Sequence, residues 1–313
     1  MKTSMKTSMK TSMTTSDTIP DSSPLRLLSF GELLWDLYEG EDERIGGAAF
    51  NLAAHAARCG LEAHLLSRVG DDDLGHRALE AARHFDVATD AIQIDSEHPT
   101  GTVTVTISHE AGREGQPTYT IHAPVAWDFI AADPDTLEHL TAKPFDVVCF
   151  GTLAQRGEVS RASLLQVLDA CKADTIFFDI NLRQHYYTKE IVIHGLQHAT
   201  ILKLNDEEWP VLARMLSIES MSAVAFARIL QRDYPQLRTI LITQGSKGCL
   251  VVDGDEVTTV PGKPVKVVDS VGAGDAFSAA FLAARLTGHT AQEAAQAGND
   301  LGARIVGIRG AIE

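Results

Sequence analysis

The chain has 313 residues, 44% hydrophobic and 22% charged, enough apolar content for one large core or two modest ones in a soluble globular protein. A formal net charge of -15 without any basic block excludes partners recognised by neutralising phosphates, so neither nucleic acid nor an anionic membrane surface is expected. No apolar run approaches the roughly 18 to 20 residues that cross a bilayer, and the four cysteines lie far apart with no C-x-x-C pair, which predicts reduced thiols in a cytoplasmic protein without zinc.

Residues 1–24 open with three Met-Lys-Thr-Ser repeats and a Met-Thr-Thr-Ser, carry no apolar face, and are read as a disordered tail. From Leu25 onward short apolar runs alternate with helical patterns. Core strands are expected at 25–30, 145–151, 175–180, 200–204, 239–243 and 248–252, and helices at 73–84 and 223–231. This rhythm predicts βαβ units, hence an α/β fold with a mostly parallel sheet between two helical layers. One region departs from it: Thr102-Val103-Thr104-Val105-Thr106-Ile107 alternates strictly, and Tyr119-Thr120-Ile121 resumes after a Gly112-Arg113-Glu114-Gly115 loop. That is an antiparallel hairpin; with segment 33–39 it predicts a small sheet standing over a site as a lid, built from about 33–45 and 99–128.

The stretch Val268-Asp269-Ser270-Val271-Gly272-Ala273-Gly274-Asp275 lies directly before a helix expected at 276–286, with Gly288 as its stop. No Lys-Ser or Lys-Thr pair follows, so it is not a Walker A loop. Glycines ahead of a helix leave backbone N–H groups and a partial positive charge facing an anion, which makes Gly272, Ala273 and Gly274 a candidate anion hole for a transferring phosphoryl group. Asp275 is the candidate base for an attacking hydroxyl, with a lowered pKa expected at that position. Alone, such a stretch reads equally as a cap and a turn.

Two signatures tip the reading. Asp269 to Asp275 matches D-[ST]-x-G-A-G-D, and Gly46-Gly47-Ala48-Ala49-Phe50-Asn51 is followed by Gly60 and Gly70 at the spacing of a second motif. In both, the chain from Leu25 onward resembles the ribokinase-like (PfkB) family of sugar and nucleoside kinases. The resemblance implies a three-layer ribokinase-like domain over 25–313, with ATP, Mg2+ and, in some relatives, K+ as cofactors. It implies sugar contacts from Gly46, Gly47 and Asn51, from Asp36 in Gly31-Glu32-Leu33-Leu34-Trp35-Asp36, and from Arg183 in Asp179-Ile180-Asn181-Leu182-Arg183. Asn205 and Glu208 match the family's N-x-x-E element of the magnesium and phosphate shell, Glu208 acting through water; a helical turn apart, they are expected on one face. Thr243, Gly245 and Gly248 resemble its nucleotide turn, and Asn299 falls beside the expected adenine.

Gly151-Thr152-Leu153-Ala154-Gln155-Arg156 and the Gly31-Glu32 opening resemble fructokinases, although Ala49 and Thr152 stand where those often carry proline and serine. The leading expectation is ATP-dependent conversion of D-fructose to fructose 6-phosphate. The alternatives are another sugar, such as ribose or 2-keto-3-deoxygluconate, or a non-catalytic sugar-binding regulator. The lid sheet could also pair edge to edge in a homodimer.

Overall fold

The computed structural model describes residues 23–40, 42–107, 117–219 and 222–313, so the repeat at the start and the loop at 112–115 lie outside the described residues. In chain order the strands are β1 (Arg26–Phe30), β2 (Leu34–Tyr38), β3 (Arg44–Gly46), β4 (Glu62–Gly70), β5 (Ile92–Asp95), β6 (Gly101–Ile107), β7 (Pro117–Ile121), β8 (Val147–Gly151), β9 (Thr175–Asp179), β10 (Ile201–Asn205), β11 (Thr239–Thr243), β12 (Gly248–Asp253) and β13 (Glu256–Pro261). The helices are α1 (Ala48–Arg58), α2 (Asp73–His84), α3 (Pro134–Thr141), α4 (Glu158–Cys171), α5 (Lys189–His198), α6 (Glu208–Leu216), α7 (Ala223–Asp233), α8 (Ala273–Leu286) and α9 (Ala291–Val306).

Among the described residues the main sheet runs β13-β12-β11-β10-β9-β8-β1-β4-β5, parallel from β11 to β5, with β12 and β13 added antiparallel. Successive strand residues point to opposite faces, so Leu27, Val147 and Phe177 join the core under α1, α2, α8 and α9. Their neighbours Leu28, Val148 and Phe178 join the core under α4 to α7. All six expected core strands are present, and α2 has the expected bounds because Asp72 caps it, accepting from the Gly75 N–H at 2.8 Å. The strand β4, next to the β5 edge, was not expected: its polar His64 and Ser67 are buried, which masks the apolar run.

The second sheet has the order β3-β2-β6-β7, in which β2 pairs parallel with β6 while β3 and β7 add antiparallel at the two edges. The hairpin and the 33–39 segment meet as expected, and β3 completes the sheet. The outward-facing carbonyls of β7 are covered from the main body. Gln184 Nε2 donates to the Tyr119 carbonyl at 2.7 Å and the Tyr186 hydroxyl to that of Ile121 at 3.2 Å. Arg156 Nη2 donates to the His122 carbonyl at 2.6 Å, just beyond the strand.

Candidate active site

The carboxyl ends of β1, β8, β9 and β10 face the second sheet, and the N-termini of α1 and α8 meet there. Gly272 is the residue before α8, at φ 78; a Cβ there would lie 2.5 Å from the Ala311 carbonyl, so the fold demands glycine on steric grounds. The helix starts at Ala273 rather than 276, a correction to the expected boundary. Asp275 therefore stands inside the first helical turn, where the unpaired N–H groups are.

Asp275 is buried at 9% exposure, and its Oδ2 accepts from Asn51 Nδ2 at 2.9 Å. Asn51, in the first turn of α1, is also buried, so the two glycine-bearing signatures, 224 positions apart, converge on one hydrogen bond. Burial drives the Asp275 carboxyl up to about 7, against the nearby Lys203 ammonium, the Asn51 hydrogen bond and Arg183; Asp179 adds to the rise. The lowered pKa expected at that position is thus overturned, because desolvation outweighs the Lys203 charge, the Asn51 hydrogen bond and Arg183.

Asp179 ends β9 and Lys203 lies opposite it on β10, where Nζ donates to Asp179 Oδ2 at 2.7 Å in a buried ion pair. The next element is a reciprocal cap. Asn205 Oδ1 accepts from the N–H groups of Glu207 and Glu208, both at 2.9 Å, while Glu208 Oε2 accepts from the Asn205 N–H and Oε1 from the Leu182 N–H, both at 2.8 Å. Asn205 is the last residue of β10 and not part of α6, so the two meet through the cap rather than along one helical face as expected. Glu208 is buried and its pKa is raised, by burial first and Asp179 second.

In the second sheet, Asp36 faces Arg44 across β2 and β3, and its pKa rises to about 6 through burial, despite Arg183 and Arg44. Gly46 and Gly47 allow close approaches of the protein to itself. A Cβ on Gly46 would lie 2.8 Å from Asp36 Oδ2, and one on Gly47, at φ 106, would lie 2.4 Å from the Glu32 carbonyl. Glu32 is buried with a raised pKa, and its Oε1 accepts from the Ala48 N–H at 3.1 Å, tying the N-terminus of α1 in place. Arg183 lies exposed at the rim, where its charge acts on Glu32, Asp36 and Asp275. A small cavity bounded by Ser29, Glu32, Thr152, Asp179, Asn181 and Asp275 lies between these groups, and the buried Oδ1 atoms of Asn51 and Asp179 have no hydrogen-bond partner. Two orphaned acceptors beside a carboxylate suit a ligand that brings hydroxyls.

Further along the sheet, Thr243 ends β11 and Gly245 opens a short turn at φ +54 with no atom within 4 Å of a Cβ. Gly248 is different: a Cβ there would lie 2.0 Å from the Val260 carbonyl, so the close approach it permits is to β13. Asn299, on α9, donates from Nδ2 to the Val260 and Pro261 carbonyls at 3.3 and 3.2 Å. These residues line one end of the sheet, beyond the Lys203 and Glu208 cluster.

Residues 31–313 match the pfkB family carbohydrate kinase profile. The chain belongs to the pfkB family of carbohydrate kinases. It is 29% identical over 264 residues to a fructokinase of Klebsiella pneumoniae, covering 81% of this chain and 82% of that one. It is also 28% identical over 289 residues to the 2-dehydro-3-deoxygluconokinase of Dickeya dadantii, covering 85% and 89%. The fold is similar to that of a sugar kinase of Pyrococcus horikoshii solved in complex with ATP, with a TM-score of 0.76, 26% identity, and 91% and 93% of the two chains covered.

In this pfkB kinase Glu32, Asp179 and Lys203 stand in or beside the motifs singled out from the sequence, but no role of their own was expected for any of them. A lysine inside the apolar strand Ile201–Asn205 was the available signal for Lys203. The fructokinase-like stretch 151–156 contacts the segment that leads out of the second sheet as well as the cavity. Arg156 pairs with Asp128 through Nε and Nη2 at 2.7 and 3.0 Å and lies 3.9 Å from the fully buried Trp127 ring. Thr152 lines the cavity and donates to the Ile180 carbonyl at 2.8 Å.

Proposed function

We propose that this chain transfers the γ-phosphoryl group of ATP to a hydroxyl of a neutral free sugar, with D-fructose giving fructose 6-phosphate as the leading case. The observation that carries the reading is the Asp275 carboxyl, held by Asn51 at a helix N-terminus beside unpartnered buried acceptors. Asn51 occupies Oδ2, so Oδ1 is the oxygen placed to take the proton of the attacking hydroxyl. The new bond joins the sugar oxygen to the γ-phosphorus as the bond to the ADP oxygen breaks, and the N–H groups of the first turn of α8 face the charge on the moving group. Binding is assigned to Asp36, Asn51 and Arg183 around the sugar, and to Asn205, Thr243, Gly245, Gly248 and Asn299 along the nucleotide.

Among the described residues, the carboxylates Glu32, Asp36, Asp179 and Asp275 outnumber the guanidiniums of Arg44, Arg156 and Arg183 that act on them, and each accepts hydroxyl hydrogen bonds, which supports a neutral polyol over an acidic one. Similarity to the 2-dehydro-3-deoxygluconokinase supports the second reading, in which Arg183 receives a sugar acid. Mg2+ would neutralise phosphate charge while leaning on the nucleotide, water and, through water, Glu208, whose own oxygens are engaged by backbone N–H groups. A K+ ion beside the glycine loop is a further assignment, tested by potassium dependence of the rate. Dimer formation through the lid is proposed on the β3 edge, since side chains cover β7. Purified protein with magnesium-ATP and a panel of ketoses, pentoses and sugar acids tests the whole reading: fructose should be the best acceptor, preference for a sugar acid moves the assignment to the second reading, and no turnover on any sugar removes the kinase reading.

A further inference from the structure

Lys203 is the buried cation of this molecule's carboxyl-end cluster, and the roles assigned above leave it without one. It is 7% exposed within β10, between the fully buried Leu202 and Leu204. An ammonium in such a place costs several kcal/mol of desolvation, and a hydrophobic residue of like size would commonly serve stability as well or better. Asp179 compensates it from the adjacent strand at 2.7 Å, yet the second Asp179 oxygen stays buried and unpartnered. Asp179, which borders the cavity, thus keeps one unsatisfied acceptor.

The decisive geometry is at Gly274, the residue before Asp275 in the first turn of α8. A Cβ on Gly274 would lie 3.1 Å from Lys203 Nζ, so the ammonium sits directly against the backbone of the glycine loop. The charged and polar groups facing Asp275 come from four elements: Asn51 from α1, Lys203 from β10, Asp179 from the end of β9, and Arg183 from the segment after β9. Those facing Lys203 are Asp179, Asp275 and Glu208, which together outweigh burial and raise its pKa, so it is charged when the enzyme works.

We propose that Lys203 is a positioning residue for Asp275: clamped by Asp179 against Gly274, its fixed charge keeps the Asp275 carboxyl available as a base and adds to the positive field where the phosphoryl group passes. This rests on the reading of Asp275 as the base. It accounts for a lysine inside an apolar strand, for a buried aspartate opposite it, and for the lack of a side chain at Gly274.

The test compares Lys203→Met, Asp179→Asn and Asp275→Asn with the wild type, using the pH dependence of kcat/KM for sugar and the infrared carboxyl band of the ligand-free protein that disappears in Asp275→Asn. Removing the lysine charge should shift the acid limb and the band titration up by a pH unit or more, a loss of about tenfold in kcat/KM on the acid limb. Removing the Asp179 charge should shift both down, since the lysine then has Asp275 as its nearest counter-ion. A role confined to packing would lower activity without moving either titration, so unchanged midpoints in both folded variants overturn the proposal. If Lys203→Met does not fold, an unchanged or upward midpoint in Asp179→Asn overturns it alone. Near-wild-type turnover by Asp275→Asn removes the base reading and this proposal together, whereas an inactive Asp275→Asn beside unmoved titrations removes only the role of Lys203.

Discussion

A carboxyl whose folded pKa is about 7 keeps a proton that the unfolded chain releases near pH 4, so between those values the native state binds more protons than the unfolded one. Stability from this group is therefore lost as pH rises from about 4 to about 7, and the full penalty stands above 7. Over roughly three pH units that amounts to on the order of 4 kcal/mol for a fully buried group. Asp275→Asn should accordingly be more stable than the wild type at pH 8, by about 2 to 4 kcal/mol in denaturant unfolding, with the gain gone near pH 4. The same ionisation is required of a base, so kcat/KM should climb about tenfold per pH unit up to an acid limb near 7 and then level off. An acid limb near 4, or no pH dependence in the stability gain, would contradict the assignment. Asp36, raised to about 6, titrates just below that limb, and Asp36→Asn should raise the KM for sugar by at least about tenfold while the KM for ATP holds.

At the scale of elements, the glycines divide into those the fold requires and those that leave room for a ligand. Gly47 is at φ 106 with the Glu32 carbonyl 2.4 Å from its would-be Cβ, and Gly245 is at φ +54 with nothing nearby. Gly47→Ala should displace α1, and with it Asn51, costing roughly 3 kcal/mol or more in unfolding experiments. Gly245→Ala carries only the left-handed backbone cost of about 1 to 2 kcal/mol, and its visible effect should be on the KM for ATP. A comparable stability loss at both positions would refute this division. The repeating strand-helix pattern was legible because parallel strands buried on both faces read as plain apolar runs. The strand β4 was not, because its buried His64 is satisfied by partners elsewhere in the chain, with Arg26 Nη2 3.0 Å from its Nε2 and Asp90 3.3 Å from its Nδ1. The start of α8 was misplaced for a related reason: glycine at two of the four positions before residue 276 argues for a turn, yet packing against Ala311 fixes the chain as helix from Ala273.

For the whole molecule, the second sheet is tied to the main body where the sugar is expected. The segment after β9 carries Arg183 at the pocket rim and, within three residues, Gln184 and Tyr186 on the β7 carbonyls. A sugar bound as proposed, by Arg183, would act on the same segment that holds the second sheet. Tyr186→Phe removes one hydrogen bond to Ile121, worth about 1 kcal/mol, and keeps the ring beside Arg156. It should raise the KM for sugar by about fivefold and leave kcat within about twofold, as read by steady-state kinetics; a kcat loss with an unchanged KM would place Tyr186 elsewhere in the mechanism.

The sequence by itself determined the α/β class, the six core strands, the strictly alternating hairpin and both glycine signatures, because each depends on the period of side chains along a local stretch. Tertiary structure decided what distance along the chain conceals. Asn51 holds Asp275, Lys203 rests against Gly274, and Glu32 and Asp36 fill the space that Gly46 and Gly47 leave open. It also decided the sign of the Asp275 shift, since a helix N-terminus is visible in a sequence while the depth of burial that raises the carboxyl depends on every layer packed around the site.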